Sequence, residues 1–193
     1  MRFLLRFANR SQALPTDRKR LSMLAYQTVQ FLDADIGNLR ISSSAIELDL
    51  LLDSDDRLQE AVMSLEAKFG PLLTLRELDV QTPPTAKPVA IKQGIALFNE
   101  ERYWESHEAL ESAWLTSSGP EKEVLQGIIL LAAAYVHLQK NEEAVALSVM
   151  QRAYSKLVAH TGPYFEIDVT ALKAEVQQML SSGSPRFFKI ATL

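Results

Sequence analysis

The sequence predicts an α+β protein with a mixed N-terminal region and an all-helical C-terminal region. In residues 1–80, stretches with the two-residue apolar period of strands alternate with stretches of the 3.6-residue period of helices. From Pro88 onward every apolar pattern is helical. Between the regions lies QTPPTAKP, residues 81–88, whose three prolines oppose a continuing helix or central strand. We interpret this segment as a linker between two domains.

The N-terminal domain, residues 1–80, has the predicted order β-α-β-β-α-β. Ile46 to Leu52 give the clearest strand pattern, because apolar residues alternate there with Glu47 and Asp49. Gly37 and Asn38 are predicted to break the chain after the first helix. The expected elements are strands at about 3–7, 39–41, 46–52 and 72–79 and helices at about 15–33 and 54–69. This order is typical of the ferredoxin-like split βαβ fold.

The C-terminal domain, residues 89–183, is predicted to be a bundle of five helices. They are expected at about 88–99, 102–117, 119–140, 141–160, and from 168 or 170 to 182, with Asn141 as the cap of the fourth. The third is apolar almost all round from Val124 to Leu138, so it belongs in the middle of the bundle. The first four helices form two hairpins similar to tetratricopeptide pairs. The apolar tail, residues 184–193, is expected to pack back on a domain and leaves an oligomer possible.

Composition argues against several functional classes. The chain of 193 residues has a net charge of -4, with acids and bases interspersed, whereas nucleic-acid binders usually show a basic domain or stripe. It contains no cysteine, which excludes thiolate metal sites and cysteine nucleophiles. The N-terminus is a poor signal peptide, and the longest apolar run, Ile128 to Val136, is too short to span a bilayer. We expect a cytoplasmic protein without cofactors that binds neither nucleic acid nor membrane.

One helix of the C-terminal domain, RYWESHEALESAWLTS, carries an unusual mixture of residues. At about 100° per residue, one of its faces contains Trp104, His107, Glu108, Glu111 and Trp114. Bulky apolar residues are expected to face the core, which draws His107 and Glu111 toward it. A buried carboxylate needs a partner or a proton. Polar groups are therefore expected to meet this face.

The next helix supplies polar groups at a matching spacing. Gln126 and His137 interrupt its apolar surface and share one stripe with Leu130 and the small Ala133. We predict that the two stripes face each other across the bundle. The expected polar cluster consists of His107, Glu108, Glu111, Gln126 and His137, and its walls are Tyr103, Trp104 and Trp114.

The same residues carry a resemblance to a known family. The segment from Gly94 to Leu138 is similar to the core of the domain of unknown function 309 family, and the similarity extends over about residues 90–160. The family pattern is an aromatic residue, a His-Glu-x-x-Glu-x-x-Trp run, a loop, and a Leu-Gln-Gly helix ending near a histidine. Here it corresponds to Tyr103, His107, Glu108, Glu111, Trp114, Leu125, Gln126, Gly127 and His137. The resemblance implies a compact helical bundle of bacterial origin, with no established activity, cofactor or substrate.

Three interpretations of the polar cluster stay open. It is a structural network that fixes the register of two helices, because buried polar groups usually bond to one another. Alternatively, it is a ligand pocket in which tryptophans surround a few polar groups. The third interpretation is a metal centre formed by His107, Glu111 and His137, since histidine and carboxylate at i,i+4 suit a metal.

From these patterns we expect a binding or interaction module rather than an enzyme. A Trp-walled groove in the helical bundle would hold an unidentified protein or small-molecule ligand. The alternative is a metal-dependent hydrolase, with His107, Glu111 and His137 as ligands and Glu108 as general base.

Overall fold

The fold is that of a computed structural model, which describes residues 1–80 and 85–192. These residues form two compact units: residues 1–80 with 139–141, and residues 85–138 with 142–192. The first, the sheet unit, contains a four-stranded antiparallel sheet, and the second, the helical unit, is mainly α-helical. The protein is therefore α+β. In the predicted linker, residues 81–84 lie outside the described residues, whereas Lys87 and Pro88 already belong to a helix.

The sheet unit follows the predicted order of elements. They are β1 (Arg2–Ala8), α1 (Arg18–Val29), β2 (Ala34–Ile41), β3 (Ala45–Leu52), α2 (Leu58–Phe69) and β4 (Leu72–Glu77). The strands lie side by side in the order β2-β3-β1-β4, and each neighbouring pair is antiparallel. Alternate residues of β1, such as Phe3, Leu5 and Phe7, share a core with apolar residues of α1 and α2.

The second strand is longer than the sequence suggests. It begins at Ala34, five residues before the expected start, and Gly37 and Asn38 lie inside it rather than in a break. The pairing with β3 shifts between Gly37 and Arg40, and Asn38 adopts a left-handed backbone with φ of 41°. This irregularity is a bulge, which Gly and Asn accommodate more readily than other residues.

The helical unit contains the five predicted helices and one unpredicted hairpin. The elements are α3 (Lys87–Asn99), α4 (Tyr103–Leu115), α5 (Gly119–Gln139), α6 (Glu143–Leu157), β5 (Pro163–Tyr164), β6 (Ile167–Asp168) and α7 (Val169–Ser182). The two strands of the hairpin have two residues each, too few to show a period in the sequence. Asp168 caps α7 by accepting a hydrogen bond of 3.0 Å from the Ala171 backbone N–H.

Helix α5 contributes many of the core residues of the helical unit, as its apolar surface predicts. A Cβ atom added to Gly127 would lie 2.6 Å from the side chain of Leu157, so this glycine lets α5 and α6 approach closely. The expected capping role of Asn141 is wrong, because it has a left-handed backbone and Glu142 is the N-cap of α6. The apolar tail packs back on the helical unit, where Ile190 is buried. Among residues 1–80 and 85–192, no helix has the length and apolarity that crossing a membrane requires.

Candidate functional site

The buried face of α4 is not the face that the sequence suggests. The residues of this helix that are buried are Tyr103, Ser106, Leu110 and Ala113, which recur at steps of three and four. Ser106 donates a hydrogen bond of 2.8 Å to the Gly94 carbonyl oxygen of α3. A Cβ atom on Gly94 would lie 2.5 Å from the Leu110 Cγ, so α3 and α4 pack with almost no space between them.

The predicted cluster face is turned by about one residue from this contact. Trp104 and Trp114 are half-buried, whereas the Glu111 side chain is 53% exposed and Leu115 is 67% exposed. The expectation that His107 and Glu111 are drawn into the core is therefore wrong. The expectation fails because α4 has two adjacent apolar stripes, and the stripe with Tyr103 and Leu110 is the one that is buried. We call the half-exposed face, formed by Trp104, His107, Glu108, Glu111 and Trp114, the Trp stripe.

The polar groups of the Trp stripe are loosely arranged. His107 Nε2 and Glu111 Oε2 are 3.9 Å apart, within ion-pair distance but too far apart for a good hydrogen bond. The rings of Trp104 and His107 are parallel, with centroids 6.2 Å apart. The Lys122 ammonium lies 4.1 Å from the centroid of the Trp114 ring, a cation-π contact. Imidazole, carboxylate and two indoles are thus presented together on one helix surface.

Tyr103, which was predicted to be a wall of the groove, belongs to the core instead. Its ring is fully buried and stacks on Tyr135 of α5, with centroids 4.9 Å apart, and on Phe187 of the tail. Burial raises the pKa of its hydroxyl far above the usual range. Tyr103 therefore fastens α4 to α5 and the tail and takes no part in an exposed site.

The two polar residues of α5 do not complete the cluster that the sequence suggests. His137 Nδ1 is 2.6 Å from Glu142 Oε2, just after the end of its own helix. Gln126 is half-buried and makes no hydrogen bond within residues 1–80 and 85–192. In the same part of the chain, no three His, Asp or Glu side chains are grouped so that they could hold a metal. The alternative ligand set of His107, Glu111 and His137 is therefore not assembled, because His137 is engaged by a carboxylate adjacent in sequence.

The sheet unit contains a charged network that the sequence analysis missed. Asp49 accepts hydrogen bonds from Arg40 (3.2 Å), from Asn38 (2.9 Å) and from Arg2, and Arg40 also binds Glu47 at 3.2 Å. Asp49 and Arg40 are only 1% and 2% exposed. Burial by itself raises the pKa of Asp49, but the charge of Arg40 and the hydrogen bonds from Asn38 and Arg2 outweigh it, and the pKa lies below its usual range.

The alternation of Glu47 and Asp49 in β3 is the sequence signal that could have indicated this network. Alternating carboxylates normally mark the solvated face of a strand. Here Arg40 on β2 is directly opposite Glu47, a cross-strand partner that pairing the strands in register identifies.

The similarity of this chain to a known family lies in its helical unit. The model of the family described as Domain of unknown function (DUF309) matches residues 91–149. A conserved hypothetical protein from Thermus thermophilus, of known crystal structure, is 32% identical; the match covers 47% of this chain and 94% of that one, with a TM-score of 0.41. No curated protein matches the chain significantly in sequence.

Proposed function

The chain belongs, through residues 91–149, to the DUF309 family, and from that premise we propose that it is a binding module that recognises a partner along α4. The observation that carries this proposal is the placement of both tryptophans of the chain. Trp104 and Trp114 are half-buried and pack partly against the core, on one face of a helix whose other face is buried. Tryptophans of this kind dominate the energy of protein interfaces, because a partner buries the remainder of a large ring.

The length and the chemistry of the Trp stripe suit an extended partner. Trp114 lies ten positions after Trp104, which corresponds to about 15 Å along the helix axis. Between them, His107 offers a ring nitrogen, and Glu111 offers carboxylate oxygens that its 3.9 Å contact with His107 leaves largely unused. A protein segment or ligand with apolar groups at both ends and hydrogen-bond donors between them matches this sequence of groups.

The finer description of the two units is part of the same proposal. We propose a ferredoxin-like fold for the sheet unit, on the strength of its strand order β2-β3-β1-β4 and of the helices that follow β1 and β3. For α3–α6 we propose hairpins like those of tetratricopeptide repeats. Their support is a glycine at each helix contact, Gly94 against Leu110 and Gly127 against Leu157.

The test compares the wild-type Trp stripe with a variant that lacks one of its two tryptophans. Wild-type protein, Trp104→Ala and the control Phe31→Ala are used to capture partners, since Phe31 is an exposed aromatic residue of the sheet unit. A captured partner is then purified and titrated while intrinsic fluorescence is followed, because Trp104 and Trp114 are the only tryptophans and both lie in the stripe.

We expect saturable binding by the wild type and by Phe31→Ala, and binding weaker by about 30-fold in Trp104→Ala, the effect of losing an interface hot spot. A partner that binds all three proteins equally would place the interface elsewhere. Circular dichroism of Trp104→Ala checks that a loss of binding does not come from unfolding.

A further inference from the structure

A second candidate site lies in the helical unit, away from the residues of the Trp stripe. It is a groove of about 540 Å³ between α3, the β5–β6 hairpin and the end of the tail. This volume falls within the range of about 300–1,000 Å³ that is typical of small-molecule sites. Three isoleucines close it underneath, Ile91 and Ile95 from α3 and Ile167 from β6, and each is buried.

The wall opposite α3 is held in place by hydrogen bonds from a side chain and from the backbone. The side-chain amide of Asn99 donates through Nδ2 to the Ile190 carbonyl oxygen at 3.0 Å, and Asn99 Oδ1 accepts from the Ile190 N–H at 2.8 Å. Thr192 forms an antiparallel bridge with Ile167, so the tail lies beside the hairpin. The groove is thus formed in advance rather than by folding around a ligand, which lowers the entropy cost of binding.

The hairpin turn at the groove has an unusual backbone. Phe165 and Glu166 have φ of 44° and 60°, the left-handed region that two-residue turns usually fill with Asn and Gly. Larger residues in this region cost conformational energy, and such residues are enriched at active sites and ligand-binding sites. The turn brings the 42% exposed ring of Phe165 and the Glu166 carboxylate to the lining of the groove.

Among the described residues, one cation and one anion line the groove. Lys92 on α3 and Glu166 on the turn both line it, and neither makes a hydrogen bond or ion pair with any residue in 1–80 or 85–192. Elsewhere in this unit Lys87 is paired with Glu121 at 3.0 Å, and Lys156 with Glu123 at 2.9 Å. An apolar groove with a free ammonium and a free carboxylate complements a molecule that carries the opposite charges on an apolar body.

We propose that this groove binds a small zwitterion with apolar side chains, either a free apolar amino acid or an apolar dipeptide. Its carboxylate pairs with Lys92, its ammonium pairs with Glu166, and its side chains lie against Phe165 and the isoleucine floor. The proposal goes beyond recognition along α4 and shares no residue with it.

Calorimetric titration with three probes tests the proposal: leucine, leucyl-leucine, and leucyl-leucine with both termini blocked as N-acetyl and C-amide. We expect one equivalent of leucine or leucyl-leucine to bind, and the stronger of the two identifies the size of the ligand. The blocked dipeptide keeps the apolar body without the charges, and we expect it to bind at least about tenfold more weakly.

Charge-neutral variants locate the binding on the protein. Lys92→Gln and Glu166→Gln are each expected to weaken leucyl-leucine binding about tenfold, whereas the control Glu143→Gln, at an exposed residue of α6, binds like the wild type. Amide NMR shifts of Ile95 and Phe165 during the titration confirm the place. Equal binding of the blocked and free dipeptides, unchanged affinity of both variants, or no saturable binding of any probe at millimolar concentration would overturn the proposal.

Discussion

The network around Asp49 in the sheet unit and the Trp stripe in the helical unit differ in how their charged side chains are buried and paired. In the sheet unit, Asp49 and Arg40 are buried and each makes at least two ionic hydrogen bonds. In the helical unit, the side chains of His107 and Glu111 are 30% and 53% exposed, and their mutual contact is 3.9 Å long. Buried and fully paired charges fix one structure, because any loss of a partner leaves an uncompensated charge. Exposed and loosely paired charges have groups left to offer to a partner.

This difference supports a structural role for the network around Asp49 and is consistent with the binding role that we propose for the Trp stripe. The network around Asp49 is a constraint on the register of β1, β2 and β3, since Arg2, Arg40 and Asp49 each come from a different one of these strands. The charged groups of the Trp stripe constrain little, because α4 is positioned by Tyr103 and Leu110 on its other face. The two tryptophans of the stripe add partial contacts with the core. Stability measurements on the two sets of residues therefore test the comparison directly.

The largest effect is expected from Asp49→Ala. Removing this carboxylate leaves the buried Arg40 without one of its two acidic partners, and we expect the free energy of unfolding to fall by about 3–5 kcal/mol. Urea denaturation followed by circular dichroism measures it. Asp53→Ala, at an exposed position one residue beyond β3, is the matched control and should change stability by less than about 0.5 kcal/mol. A loss at Asp49 no larger than at Asp53 would mean that the buried network around Asp49 does not stabilise the sheet unit.

A smaller effect of the same carboxylate is expected in acid. The pKa of Asp49 is lower in the folded protein than its unfolded value of about 3.9, so its ionisation stabilises the fold above that value. As the pH falls through the folded pKa, the carboxylate becomes protonated and this contribution is lost. Wild-type stability measured between pH 6 and pH 2 should therefore decline more steeply than that of Asp49→Asn, which keeps the shape without the charge. Parallel declines would show that other groups cause the acid sensitivity.

Much of the architecture follows from local pattern, and the failures have a common cause. The order of elements in residues 1–80 and the five helices after Lys87 are visible as periods of two and 3.6 residues. When a helix has two adjacent apolar stripes, the sequence does not show which of the two is buried. In α4 both Tyr103 and Trp104 begin a stripe, and the choice depends on Gly94 of the neighbouring helix, which admits Leu110.

The candidate site was predictable in its members but not in its contacts. Helical spacing places Trp104, His107 and Glu111 on one side of α4, as the sequence indicates. The partner of His137 is determined by the turn after α5, where the left-handed backbone of Asn141 brings Glu142 back toward the helix end. A turn conformation of this kind depends on tertiary contacts. The burial of Asp49 depends on them too, so the alternation of apolar and acidic residues along β3 does not reveal it.

The smallest stability effect is expected from His107→Ala, and this variant distinguishes a binding surface, a structural network and a metal centre as interpretations of the stripe. Because the His107 contact with Glu111 is long and exposed, its loss should change the free energy of unfolding by less than about 1 kcal/mol. Elemental analysis of protein purified without a histidine tag should show the same metal content in the wild type and in the variant. A destabilisation of more than about 2 kcal/mol would make the stripe a structural network like the one around Asp49. Near-stoichiometric metal that disappears with His107 would instead make it a metal centre, with ligands that move together on binding the ion, and would reverse the order of the two functional hypotheses.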